Sequence, residues 1–171
     1  HSESDVVYDA KETNARAWIW DLALNDTGSP VLVYTTIPDI TEHHYNYAVH
    51  TANGWQNHHI SPGGKWFPQT PEGEKERETE YSGGISIIHA DPSTVYLARP
   101  VNDVFEIERW QTPDNGATWT SQTITQNSDK LNVRPVIPRN YPADKIGVLW
   151  MHGTYIHYTH YHTEIRMILE P

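Results

Sequence analysis

The chain has 171 residues, enough for one domain with a real core, and a formal charge of −10. That charge argues against nucleic acid or an anionic membrane as a partner, and it admits an acidic polysaccharide only where basic groups are concentrated locally. Eleven His and no Cys exclude a disulfide framework and any thiolate zinc site.

Hydrophobic content is 37%, and it is unusually aromatic, with seven Trp and ten Tyr against two Phe. Aromatic and β-branched residues favour strands, and Trp and Tyr offer flat apolar faces that suit sugar stacking as well as core packing. No apolar run approaches the roughly 20 residues of a membrane span. The lack of Cys fits an extracellular or periplasmic setting. The chain opens at His1 with neither an initiator Met nor a signal peptide, so a processed, trimmed or fragmentary chain is expected.

In chain order the sequence predicts repeated units of four strands and no helix. The first unit (15–62) places strands at Ala17–Leu24, Pro30–Thr36, His43–Thr51 and Gly54–Ile60. A loop (61–80) follows, with Gly63-Gly64, Pro68, Pro71 and a charged run over Glu72–Glu80; Trp66 and Phe67 in it are candidates to fold over a pocket rim. The second unit (81–126) has strands at Gly84–Ala90, Thr94–Arg99, Val104–Thr112 and Thr118–Thr125. The third (130–170) has them at Asn132–Ile137, Lys145–His152, Tyr155–His160 and Thr163–Leu169. Turn residues such as Asn25-Asp-Thr-Gly-Ser-Pro30 and Asp91-Pro-Ser93 separate the first and second strands. The expected fold is all-β, about three four-stranded antiparallel β-propeller blades.

The octapeptide Thr112-Pro-Asp-Asn-Gly-Ala-Thr-Trp119 matches the Asp-box pattern Ser/Thr-x-Asp-x-Gly-x-Thr-Trp at every specified position. Asp114 and Thr118 can hydrogen-bond a tight turn, Gly116 supplies positive φ, and Trp119 returns into the core. Thr51-Ala-Asn-Gly-Trp55 is a worn version of it. The chain further carries Arg16-Ala-Trp-Ile-Trp-Asp21, Glu42-His-His-Tyr-Asn-Tyr-Ala48, Trp66-Phe-Pro-Gln-Thr70, Tyr81-Ser-Gly-Gly84, Val95-Tyr-Leu-Ala-Arg99, Val104-Phe-Glu-Ile-Glu108 and Asn132-Val-Arg-Pro135. Through these stretches, residues 16–167 resemble the C-terminal blades of the BNR-repeat β-propeller family. Similar seven-bladed propellers include lyases that cleave rhamnose–glucuronate linkages in ulvan and arabinogalactan. The resemblance implies further N-terminal blades bearing essential His residues, so this segment alone would be inactive.

Three blades do not close a ring of about 4–8. Missing N-terminal blades or self-association are therefore expected to cover the free strand edges. In a propeller the ligand face is built from the second-to-third and fourth-to-first connections, opposite the Asp boxes. Sorting residues this way selects Arg16, His43, His44, Tyr81, Arg99, Asn132, Arg134 and His152. Arg16, Tyr81 and Arg134 hold equivalent places at the start of the innermost strand. A guanidinium pairs bidentately with a carboxylate, or serves as a strut against an acid such as Asp21, Glu80 or Asp129. Strand alternation lets only one of His43 and His44 face a pocket, and it separates His157 from His160 and His162, so no metal and no cofactor is expected.

The leading functional expectation is a polysaccharide lyase acting by β-elimination on a uronate glycan. Arg16 and Arg134 would bind the carboxylate, with His44, Arg99, Asn132 and His152 also on substrate. His43 and Tyr81 would move or position protons. A sialidase-type hydrolase and a non-catalytic glycan-binding propeller are the alternatives.

Overall fold

The computed structural model describes residues 4–39, 41–65, 72–74, 83–142 and 144–170. Strands β1 (Arg16–Leu24), β2 (Pro30–Ile37), β3 (His43–Thr51) and β4 (Gly54–Gly64) form an antiparallel sheet in that order. Strands β5 (Ile85–Ile87), β6 (Thr94–Val101), β7 (Val104–Gln111) and β8 (Thr120–Thr123) form a second. A third, three-stranded sheet pairs β9 (Leu131–Val136), β10 (Ile146–His157) and β11 (His160–Glu170). A short helix, α1 (Ala10–Thr13), precedes β1. The sequence reading holds no helix, because one turn has no periodicity to detect. Asp9 caps it, accepting from the Lys11 amide at 2.8 Å.

Period-two alternation explains how the sheets stack. In β6, Val95 and Leu97 join Val31, Val33, Tyr45 and Tyr47 in a core between the first two sheets. Its alternate residues, Tyr96 and Ala98, join Val133, Val148 and Trp150 in a core between the second and third. A strand buried on both sides must be apolar throughout, which is why Thr94–Ala98 has no exposed residue. The outer face of the first sheet, with Leu32, Tyr34 and Ala48, is partly covered by Val7 and Tyr8. Ile19, Leu22 and Leu24 on β1 and Ile165, Met167 and Leu169 on β11 remain exposed.

Polar struts tie the layers. Tyr45 donates to the Ala98 carbonyl at 2.8 Å, and Asp21 accepts the Ile87 amide at 3.1 Å and contacts His89 Nε2 at 3.2 Å. At the 112–119 turn, the Asp114 carboxylate accepts from the Thr118 amide and hydroxyl, both at 2.8 Å. Gly116 has φ 100°, and its amide donates to Thr112 Oγ1 at 2.7 Å. Trp119 packs edge-on against Tyr47 just before β8 begins.

The third sheet departs from the expected four strands. The sequence places a turn at Gly153-Thr154, yet β10 runs straight through it. Gly153 lies against the His162 carbonyl, where a Cβ would collide, so this glycine admits close strand approach rather than a turn. The reversal comes at Tyr158-Thr159, making His157 and His160 directly paired across the hairpin. This corrects the expectation that alternation along one strand separates them.

Candidate functional site

A cavity of about 870 Å³ lies at one end of the three sheets. Such a volume is within the range of small-molecule and oligosaccharide sites. The first sheet contributes Thr41 and Glu42 from the β2–β3 connection and Pro62, Gly64 and Lys65 from the end of β4. The β6–β7 hairpin contributes Pro100, Asp103, Val104 and Phe105; the third sheet contributes Asp129, Lys130 and Leu131 before β9 and Gly153 to Ile156 of β10. The 112–119 turn sits at the far end of β7, about 25 Å away at the usual strand rise.

The cavity wall is held by a buried polar network centred on Asn132, which is 1% exposed. Its amide nitrogen donates to Glu106 Oε2 at 3.0 Å, to Ser128 Oγ at 2.9 Å and to the Phe105 carbonyl at 3.2 Å. Its amide oxygen accepts from Trp150 Nε1 at 2.8 Å and lies 2.9 Å from His152 Nδ1, which donates to it. Glu106 is satisfied by neutral donors alone in this network, including the Ser128 amide at 2.8 Å and the Thr125 hydroxyl. The effect is to fix the 124–131 connection, which carries Asp129 and Lys130. Burial, reinforced by Arg166, pushes the His152 imidazole pKa down.

Arg134 sits at a β-bulge. Val136 pairs with Leu149 and Val133 with Met151, so β9 carries one extra residue over this interval. Arg134 has φ 57°, and its amide donates to the Gly83 carbonyl of the neighbouring sheet at 2.7 Å. Pro135 lacks an N–H and suits the bulge, its carbonyl accepting from Ser86 Oγ at 2.7 Å. The guanidinium is 5.1 Å from the Tyr155 ring centre and donates to the Tyr155 hydroxyl at 3.0 Å. Tyr155 in turn lines the cavity.

The other expected site residues are placed differently from one another. Arg99 is held in a bidentate pair with Glu108, at 2.7 and 3.0 Å, and Glu108 also accepts from Trp110 Nε1. It is a strut, though with a partner the sequence reading did not select. His43 is 1% exposed, with Nδ1 donating to the Lys65 carbonyl at 2.9 Å, so it supports the cavity from beneath. Burial lowers its pKa to about 4. His44 faces the opposite side, against His59. Arg16 is exposed at the start of β1 and makes no side-chain hydrogen bond or ion pair among the described residues. Tyr81, Trp66 and Phe67 lie outside the described residues.

Lys65, Lys130, Phe105 and Tyr155 are among the lining residues that sequence reasoning missed. Each comes from a different connection or strand, and only the long-range stacking of the sheets brings them together. Among the described residues no three His, Asp or Glu side chains converge on a metal position, and no helix is long and apolar enough to cross a membrane. The chain matches no known family model, no curated protein and no solved structure.

Proposed function

We propose that this chain is the C-terminal part of a BNR-type β-propeller, its sheets acting as blades, and that it binds a uronate-bearing glycan at the cavity shared by the three sheets. The mixed chemistry of that cavity carries the reading. Phe105 and Tyr155, both almost fully buried, form an apolar wall against which a sugar ring can rest, Asp103 and Asp129 accept from hydroxyls, and Lys65 and Lys130 pair with a carboxylate. The exposed apolar residues on β1 and β11 support a further assembly partner at each end, either the missing N-terminal blades or another copy.

In the lyase reading, neutralising the uronate C6 carboxylate acidifies the C5 proton. A base removes that proton, its bonding electrons form the C4–C5 double bond, the C4–O bond breaks, and the leaving oxygen is protonated. Arg134, through its contact with Tyr155, is the supporting cation, and Tyr155 stands at the wall with hydroxyl chemistry suited to proton transfer. Tyr81 keeps its candidate role from the sequence. His43 acts by positioning Lys65. The extracellular or periplasmic location follows from the same reading.

Incubation of the full-length parent with ulvan or gum arabic, followed by ultraviolet absorbance, tests the reaction. A lyase generates an unsaturated uronate chromophore; new reducing ends without the chromophore indicate a sialidase-type hydrolase, and binding without either indicates a non-catalytic propeller.

A further inference from the structure

A second cavity, of about 900 Å³, lies on the outer face of the first sheet beneath the N-terminal segment. Its ionisable lining includes Asp9, Glu12, Glu42 and three histidines, with no lysine or arginine among the lining residues. The field there favours a cation. Within it, His44 on β3 and His59 on β4 are diagonal neighbours across the strand pair, because a bulge shifts the register between Tyr45 and Asn46.

His44 Nδ1 and His59 Nε2 are 3.2 Å apart. That matches the edge of a tetrahedron built on zinc–nitrogen bonds, about 3.3 Å. The remaining ring nitrogen of His44, Nε2, faces the Glu42 carboxylate at 3.4 Å. A carboxylate behind a ligating imidazole fixes the tautomer and raises the basicity of the other nitrogen. Two neutral imidazoles in an N–H···N hydrogen bond would account for the spacing alone. The carboxylate behind one ring and the acidic, cation-free cavity around both point further.

We propose that His44 and His59 chelate a divalent transition-metal ion of the zinc class, with Glu42 as the outer carboxylate and solvent in the open positions. Two protein nitrogens leave room for oxygen ligands, so the ion is exchangeable.

The test is titration of zinc chloride into the chelator-treated full chain, with uptake followed by calorimetry and by histidine ring NMR. One saturable equivalent is expected, with shifts confined to the His44 and His59 rings. His59→Gln, at an exposed ring, should abolish that step while leaving the circular dichroism and melt unchanged. Glu42→Gln should weaken binding about tenfold. A triple His157→Gln, His160→Gln, His162→Gln variant should bind as wild type. The proposal is overturned if His59→Gln binds zinc as wild type, if the triple variant loses the step, or if millimolar zinc gives no saturable uptake.

Discussion

The Arg134 guanidinium stacks over the Tyr155 ring at 5.1 Å while donating to its hydroxyl at 3.0 Å, from a backbone held at φ 57°. A left-handed conformation in a strand is unfavourable for a side chain with a Cβ, and such strain persists only where the surroundings enforce it. Here the Gly83 carbonyl and the following Pro135 do so.

This gives an inverted substitution order. Arg134→Ala and Arg134→Gly both remove the guanidinium, but glycine tolerates positive φ. Arg134→Gly should be the more stable variant by about 1 kcal/mol in urea denaturation. Greater stability for Arg134→Ala would show that the bulge relaxes without cost.

Asn132→Ala should be among the most damaging single changes. It leaves Trp150 Nε1 and His152 Nδ1 without their acceptor and removes one donor from Glu106. A loss of about 2–4 kcal/mol is expected from orphaned buried polar groups. A loss below 1 kcal/mol in the same denaturation measurement would mean that water replaces the amide.

The strands were largely legible in the sequence and the site was not. The unbroken apolar runs Val31–Tyr34 and Val95–Ala98 mark strands buried on both faces without reference to any contact. The role of Arg99 needs the register of the β6–β7 hairpin. The two-residue turn Asn102-Asp103, both at positive φ, sets that register and puts Arg99 opposite Glu106 and diagonal to Glu108. Asn-Asp between two apolar runs is itself a hairpin-turn signal that carries this register. Asn132 reads as a candidate ligand-binding polar residue because nothing in its neighbourhood of sequence reveals Glu106 or Trp150. Gly153 reads as a turn because its close strand contact is made by residues nine positions on.

His43 makes stability pH-dependent with a definite sign. Its folded pKa, about 4, lies below the unfolded value of roughly 6.5, mainly through burial. Above pH 6.5 both states are neutral and nothing is lost. As pH falls from about 6.5 to about 4 the unfolded state takes up a proton that the folded state refuses, and about 3 kcal/mol is lost. His43→Gln should flatten the urea midpoint over that window; an unchanged slope would assign the acid sensitivity elsewhere.

Gly63 lies against the His43 ring, so a Cβ there collides with it. Gly63→Ala should cost about 1–3 kcal/mol, the usual range for overpacking. The smaller side chain in a Gly63→Ala, His43→Ala double variant should make the two losses less than additive. Strict additivity in thermal melts would contradict this packing.

Binding of a glucuronate-bearing oligosaccharide, compared with its carboxyl-reduced counterpart, tests the central claim most directly. Calorimetric titration of the chain should show binding of the uronate form, weakened by about 1.5–3 kcal/mol in Lys130→Ala and by less in Arg134→Ala, which acts through Tyr155, with only partial rescue by Arg134→Lys. The carboxyl-reduced form should bind more weakly by a similar amount. Equal affinity for the two oligosaccharides, together with unchanged binding in folded Lys130→Ala and Arg134→Ala, would contradict the account.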